Sequence, residues 1–304
     1  MARLLQSAIA VFGVVALVFV LMRLSGDPTL LLVPEGATRE DIALLRSQLG
    51  FDRPLWVQFV EYLGQMARLD FGQSLVQRAP VTTIVLARLP FTLWLAGASL
   101  LFAAVIGIPV GIATGIWRGT ALERALMALV LVGQSMPTFW SGILLIMLFA
   151  VTLGWLPSSG ADAPVSVIMP AIALGALSMA TFARITRTAV VEELDKDYVR
   201  VARAKGLTGQ AIVGRHVLRN ASIPLITVAA LEIANLLAGA VVVETVFAWP
   251  GLGQLAVQAI QSRDFLIVQA VVLLGAFAHV GLNLVADILY GVVDPRIRHG
   301  RAGA

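Results

Sequence analysis

Few side chains in this chain could do chemistry, and most of them lie inside apolar runs, where a polar group needs a partner. Glu232 and Asn235 are three residues apart in a stretch of small and apolar residues. Gln134 and Ser135 precede Pro137, and His279, Asn283 and Asp287 repeat every four residues. An acidic side chain at mid-bilayer costs on the order of 2.5–3.5 kcal/mol on insertion scales, so Glu232 must face a cavity or a partner. Two readings stand. Glu232 lines a solute pathway, with Asn235, Gln134 and Ser135 as further lining residues, or it makes an interhelical hydrogen bond. His279, Asn283 and Asp287 could ligate a cation, but two helical turns span about 12 Å, too far for the first shell of one ion. For Asn283 and Asp287, interhelical bonding is the stronger reading.

Catalytic patterns are missing from the sequence. No G-x-x-x-x-G-K-S/T occurs, so the chain carries no phosphate-binding loop. Gly251-Leu252-Gly253 lacks the strand, turn and helix of a dinucleotide site and reads as a turn after Trp249 and Pro250. A membrane hydrolase or transferase, the rival class, needs an inward-facing nucleophile beside a base, and spacing assigns no serine to His279. The expectation is a non-catalytic chain that binds neither metal nor cofactor.

One further segment is dense in chemistry of another kind. Glu192 to Pro224 is the longest strongly charged stretch and lies between two hydrophobic runs. At helical spacing Ala202 and Gly206 fall on one side, a turn apart, among Arg200, Arg203, Lys205, Arg215 and Arg219. Small residues admit another protein's surface, and guanidinium groups pair with its carboxylates, which describes a docking helix. The plainer reading is a solvated basic loop that obeys the positive-inside rule.

The elements that must position these residues are membrane spans. The chain has 304 residues, 59% hydrophobic and only 13% charged, with a mean hydropathy of +0.89. A soluble domain carries about 25% charge. Six runs are long enough to cross a hydrocarbon core, which needs about 20 residues: 1–22, 90–116, 126–153, 165–185, 223–246 and 265–293. The first has Arg3 followed by an apolar run without a clear small-residue cleavage site, so it reads as a retained helix rather than a signal peptide. Pro109, Pro137 and Pro170 are expected to kink their helices, which neighbouring helices or polar side chains must then satisfy. The chain contains no cysteine, which excludes disulfides and thiolate metal sites.

Charge sets the orientation. With the N-terminus inside, fourteen of the 22 Lys and Arg fall in inner segments. Seven of the other eight lie between Arg23 and Arg88, interspersed with seven acids. Both termini are therefore expected in the cytoplasm. The isoelectric point of about 10.1 belongs to this topology and calls for no nucleic acid. The resulting organisation is an N-terminal helix over 1–24, an external segment over 25–89, a core over 90–293 containing the docking loop 192–224, and a tail over 294–304. In the external segment, Thr38 to Asp41 caps a short helix that Gly50 ends. Pro54 opens a second, whose Trp56, Phe59 and Tyr62 suit the headgroup level.

Tyr198-Val-Arg-Val-Ala-Arg-Ala-Lys-Gly206-Leu207, followed by Arg215 to Ala221 and Pro224, resembles the ATPase-docking loop of ABC importer permeases. It is similar in particular to the dipeptide, oligopeptide and nickel branch. Leu49 to Phe59, Asp70 to Ser74, Arg88 to Thr92, Glu244 to Gly253, Arg263-Asp264 and the stretch from Asn283 to Arg298 resemble the same branch, so the likeness covers nearly the whole chain. One departure is Arg200, which stands where importers often carry Glu. The resemblance implies an all-α polytopic membrane protein with the type I ABC importer permease fold, six transmembrane helices and a cytoplasmic coupling helix. It implies ATPase docking through Tyr198, Arg200, Ala202, Arg203, Lys205, Gly206 and Leu207. The implied partners are two ABC ATPase subunits that carry ATP and Mg, a second related permease and an extracytoplasmic substrate-binding protein in contact with the outer segment. The implied location is a bacterial inner membrane. Di- or oligopeptides are the expected solutes, with nickel chelates, glutathione or opine-like compounds as alternatives.

Overall fold

The computed structural model describes residues 2–24, 38, 40, 44, 47, 52–74 and 76–293, and among them every regular element is a helix. Most of the helix expected between Thr38 and Gly50, the tail 294–304 and the side chain of Asp287 lie outside the described set. The chain divides into two compact units, Met1–Pro90 with Leu255–Val280, and Phe91–Gln254 with Gly281–Ala304.

In the first unit, α1 (Ala2–Leu24) packs beside α2 (Leu55–Ala67). Phe59 and Tyr62, about one turn apart, meet Phe12 and Phe19, with ring centroids 5.1 Å apart for Phe19–Phe59 and 5.5 Å for Phe19–Tyr62. Trp56 points outward instead. The three aromatics expected together at a headgroup surface are thus divided, because α1 supplies an aromatic face that buries Tyr62 and half-covers Phe59. Further along this unit, the Ser74 hydroxyl donates to the buried carboxylate of Asp264, the residue immediately before the last helix.

The second unit holds most of α3 (Val81–Ile116), then α4 (Ala121–Ser135), α5 (Thr138–Leu145), α6 (Ile168–Leu194), α7 (Asp197–Ala204), α8 (Gly209–Ile212) and α9 (Leu218–Val246). A further helix, α10 (Leu252–Gln261), precedes the long α11 (Phe265–Val293). Against α6, α3 packs backbone to backbone. A Cβ at Gly107 would stand 2.5 Å from the Met179 carbonyl oxygen, and one at Gly111 2.5 Å from that of Ala183. Gly115 follows at the same four-residue spacing and faces Val190. In hydrocarbon, where burial of apolar side chains gives helices no preference for one another over lipid, such close approach is what holds them together.

The count of six expected spans is not reached in full: the first corresponds to a shorter apolar helix, Leu5–Leu21. By length and composition, four helices among the described residues could cross a membrane, or five if a bent pair counts as one. That pair is α4 with α5 and its π-helical extension Ile146–Thr152, which meet at 102°. Pro137 therefore breaks the expected continuous 126–153 span: the residue before it, Met136, is extended, as a proline's predecessor prefers. Pro170 makes no such break, because it lies in the first turn of α6, where its missing N–H is not needed. Pro224, expected to close a loop, sits inside α9.

The turn after Trp249 is built around Glu244, which is fully buried. Glu244 accepts from the Thr92 hydroxyl at 2.7 Å and from the backbone N–H groups of Gly253 at 2.7 Å and Gln254 at 3.0 Å. The N–H of Leu252 goes to the Thr92 hydroxyl. Three first-turn donors of α10 are thus satisfied from other elements, by acceptors placed at its N-terminus. Gly251 and Gly253 are glycines because this carboxylate and the α9 backbone occupy the space of a side chain.

Candidate functional site

The basic stretch is mostly helical. After α6 ends at Leu194, only Asp195 and Lys196 intervene before α7. Asp197 in its first turn and Arg203 in its last both suit the helix dipole. The helix stops at Gly206, whose φ of +78° lies in the left-handed region. Leu207 N–H returns to the Ala202 carbonyl at 3.2 Å and Gly206 N–H to that of Arg203 at 2.9 Å, the Schellman pattern. Thr208 then caps α8 through the Ala211 N–H, and a π-helical turn over Val213–Val217 leads into α9.

The side chains of α7 sort into two faces. Val199 and Ala202 turn inward onto Ala189, Val190, Ile212, Val217 and Ala221. Arg200, Val201, Arg203, Lys205, Gly206 and Leu207 are exposed. The surface expected from Ala202 and Gly206 together is therefore corrected. Ala202 is 7% exposed and its smallness serves contact with this chain's own helices, while Gly206 serves the helix stop. The outward face has Val201 and Leu207 as apolar contacts within a basic rim. Arg203 and Lys205 form no ion pair among the described residues, and Arg200 reaches Asp197 only at 3.3 Å.

Tyr198 is half-buried and belongs to a polar cluster that the sequence reading missed. Glu193, at the end of α6 and 8% exposed, accepts from the Tyr198 hydroxyl at 2.6 Å, from Asn220 Nδ2 at 3.0 Å and from the Lys196 ammonium. Burial and then the bond to Glu193 push the Tyr198 phenol above its ordinary range. On the other flank Arg118 Nη1 donates to Asp195 Oδ2 at 2.7 Å, holding that carboxyl below the usual range. Deeper, Arg187 Nε donates to Glu123 Oε1 at 2.7 Å. Glu123 lies three residues after Thr120, whose hydroxyl accepts its N–H at 3.2 Å. That Thr-x-x-Glu spacing was the one legible sign that α4 begins here, but nothing local pointed to Arg187.

Among the residues expected along a pathway, Glu232 is buried and accepts from the Ser178 hydroxyl at 2.5 Å, joining α9 to α6. This is the interhelical bond of the second reading. Asn235, a turn away, is exposed. Ser135 donates to its own helix at Leu131, and Gln134 Oε1 is buried without a hydrogen-bond partner beside the 102° break. None of the four bonds another. His279 is exposed and Asn283 half-buried.

Residues 107–299 match the family described as binding-protein-dependent transport system inner membrane component, and residues 1–96 match the N-terminal region of such membrane components. The chain is 43% identical over 298 residues to the glutathione transport system permease protein GsiC of Salmonella choleraesuis strain SC-B67, covering 98% of this chain and 97% of the relative. The protein of that name from Escherichia coli K12 is 42% identical with the same coverage. Among solved structures, an inward-facing MetNI methionine ABC transporter aligns with 69% of this chain and 96% of its own at a TM-score of 0.58 and 22% identity. An amino acid ABC transporter solved with histidines aligns with 69% of this chain and 94% of its own at 0.55 and 16%. These two share the fold.

Proposed function

This chain belongs to the inner-membrane components of binding-protein-dependent transport systems, and from that premise we propose that it forms half of a pathway for small peptides, glutathione among them. It is a non-catalytic permease subunit of an ABC importer. The observation that carries the solute reading is 43% identity, sustained over 98% of the chain, to a glutathione transport permease.

The rest of the assembly follows the same reading. Two ATPase subunits bind ATP and Mg and dock on the outward face of α7. A second, related permease completes the pathway, and an extracytoplasmic binding protein delivers the solute. Both termini lie in the cytoplasm, supported by the distribution of Lys and Arg. Closure of the ATPases moves α7, and the load passes to α6 and α9, which Ser178 and Glu232 join in mid-span. Of the four polar residues expected along the pathway, Asn235 and Ser135 are the exposed ones and the better candidates for contact with solute.

Reconstitution tests this. The permease, its partner subunits and the binding protein are placed in liposomes with ATP, and uptake of labelled glutathione, a dipeptide, an opine and a nickel chelate is compared. ATP-dependent accumulation of glutathione or the dipeptide is the expected result. Accumulation of the nickel chelate or the opine alone would overturn the peptide reading.

A further inference from the structure

The joint between α6 and α7 is two residues long, Asp195 and Lys196, with Lys196 in extended conformation. A joint of this length absorbs motion unless something pins it. The apolar layer beneath α7, Val199 and Ala202 on their neighbours, keeps the helix against the bundle. Burial of that kind has no direction and does not set an angle. On one flank, Arg118 and Asp195 are more than half exposed, and an ion pair so placed in water holds little.

Glu193 is different in each respect. Its carboxylate is largely buried and gathers donors from three places: Lys196 in the joint, Tyr198 in the first turn of α7 and Asn220 in the first turn of α9. Asn220 Nδ2 also approaches the Tyr198 hydroxyl at 3.5 Å, closing the cluster. Hydrogen bonds to a charged acceptor are short and directional, so three of them fix an orientation. Helix stability does not account for an acid here, because Glu193 lies in the last turn of α6, the end at which the helix dipole disfavours negative charge.

We infer that Glu193 is the positioning residue that makes α7 rigid with α6 and α9, so that movement of a docked ATPase reaches the spans instead of being lost at the Asp195–Lys196 joint. This rests on the docking reading above. Removal of Glu193 leaves the exposed face of α7 intact and frees its angle. Receptor and ATPases still assemble, and ATP hydrolysis loses its grip on transport.

The test uses the complete importer in liposomes with its binding protein, measuring uptake and ATP hydrolysis per assembled complex across receptor concentrations. Glu193→Leu lowers solute moved per ATP by about tenfold, the scale of one strong hydrogen bond, with the half-saturating receptor concentration unchanged. Glu193→Gln keeps an acceptor for Tyr198 and Asn220 and restores most of the coupling. Should Glu193→Leu fail to assemble, Asn220→Ala gives the same direction of change at roughly threefold. Coupling in Glu193→Leu, or in Asn220→Ala where that variant is used, equal to wild type per complex would overturn the inference, as would a Glu193→Gln variant no better than Glu193→Leu. A wild-type complex in which receptor and ATP drive no uptake would overturn the importer assembly itself.

Discussion

The carboxylate of Glu244 accepts the N–H of Gly253 at 2.7 Å while filling the space a side chain at Gly251 would need. A Cβ at Gly253 would also stand 2.5 Å from Val241 Cα, which is backbone and cannot swing away. Gly253→Ala is therefore expected to destabilise the protein by about 1–3 kcal/mol, the usual cost of overfilling a packed site. Thermal unfolding of the purified variant in detergent measures this, and an unchanged midpoint would contradict the geometry.

Close packing of α3 on α6 gives a second expectation. Gly111→Val pushes a side chain into the Ala183 carbonyl and Thr186, and should leave little monodisperse protein after extraction. Gly97, on the same helix, has nothing within 4 Å of its Cβ position. Gly97→Ala should be neutral or stabilising by up to about 1 kcal/mol, since Ala favours helix. Equal behaviour of the two variants on size-exclusion chromatography would rule out the glycine contact as the tie between these helices.

Gly206 separates strain from contact. Any residue with a Cβ meets the same left-handed backbone, at a cost of about 1–2 kcal/mol, and finds open space within this chain. Gly206→Ala and Gly206→Arg should thus fold alike. If an ATPase covers this face, Gly206→Arg abolishes uptake and loses the ATPases on copurification, whereas Gly206→Ala retains them. Arg at Gly209 should be milder. Full ATPase recovery with Gly206→Arg would show that the face is merely solvated.

Tyr62 offers a spectroscopic check on the first unit. Burial against α1 pushes its phenol up to about 12, with Gln269 drawing it part of the way back. The folded state holds this proton more tightly than the unfolded chain does. The stabilisation is complete below pH 10 and fades as pH climbs from 10 toward 12. In absorbance titration, one tyrosine should ionise near pH 12 and move to its ordinary range in Phe19→Ala. A titration unaffected by Phe19→Ala would argue against this burial.

Orientation is testable because the chain has no cysteine. A cysteine placed at Ser47 should react with an impermeant thiol reagent added outside whole cells, and one at Thr208 only after permeabilisation. The reverse pattern would invert the topology.

Much of this protein was legible without coordinates, and the reason is locality. Apolar runs, the inner excess of Lys and Arg and the basic stretch 192–224 are properties of neighbouring residues, and they determine a helical membrane protein with a charged segment on one side. Glycines at 107, 111 and 115 recur every four residues, on one side of a helix, but this spacing says nothing of which helix they meet. The tertiary structure alone decided that. It also joined stretches that had shown only separate resemblances: Thr92 to Glu244 across 152 residues, and Ser74 to Asp264 across 190. It turned Ala202 inward, gave Glu232 to Ser178 and broke the third span at Pro137. In a chain this apolar, lipid-facing and protein-facing residues are chemically alike, so periodicity does not mark the buried face. Which polar group finds which is then settled only when the helices pack, because a buried carboxylate takes whatever donors the neighbouring backbones bring within reach.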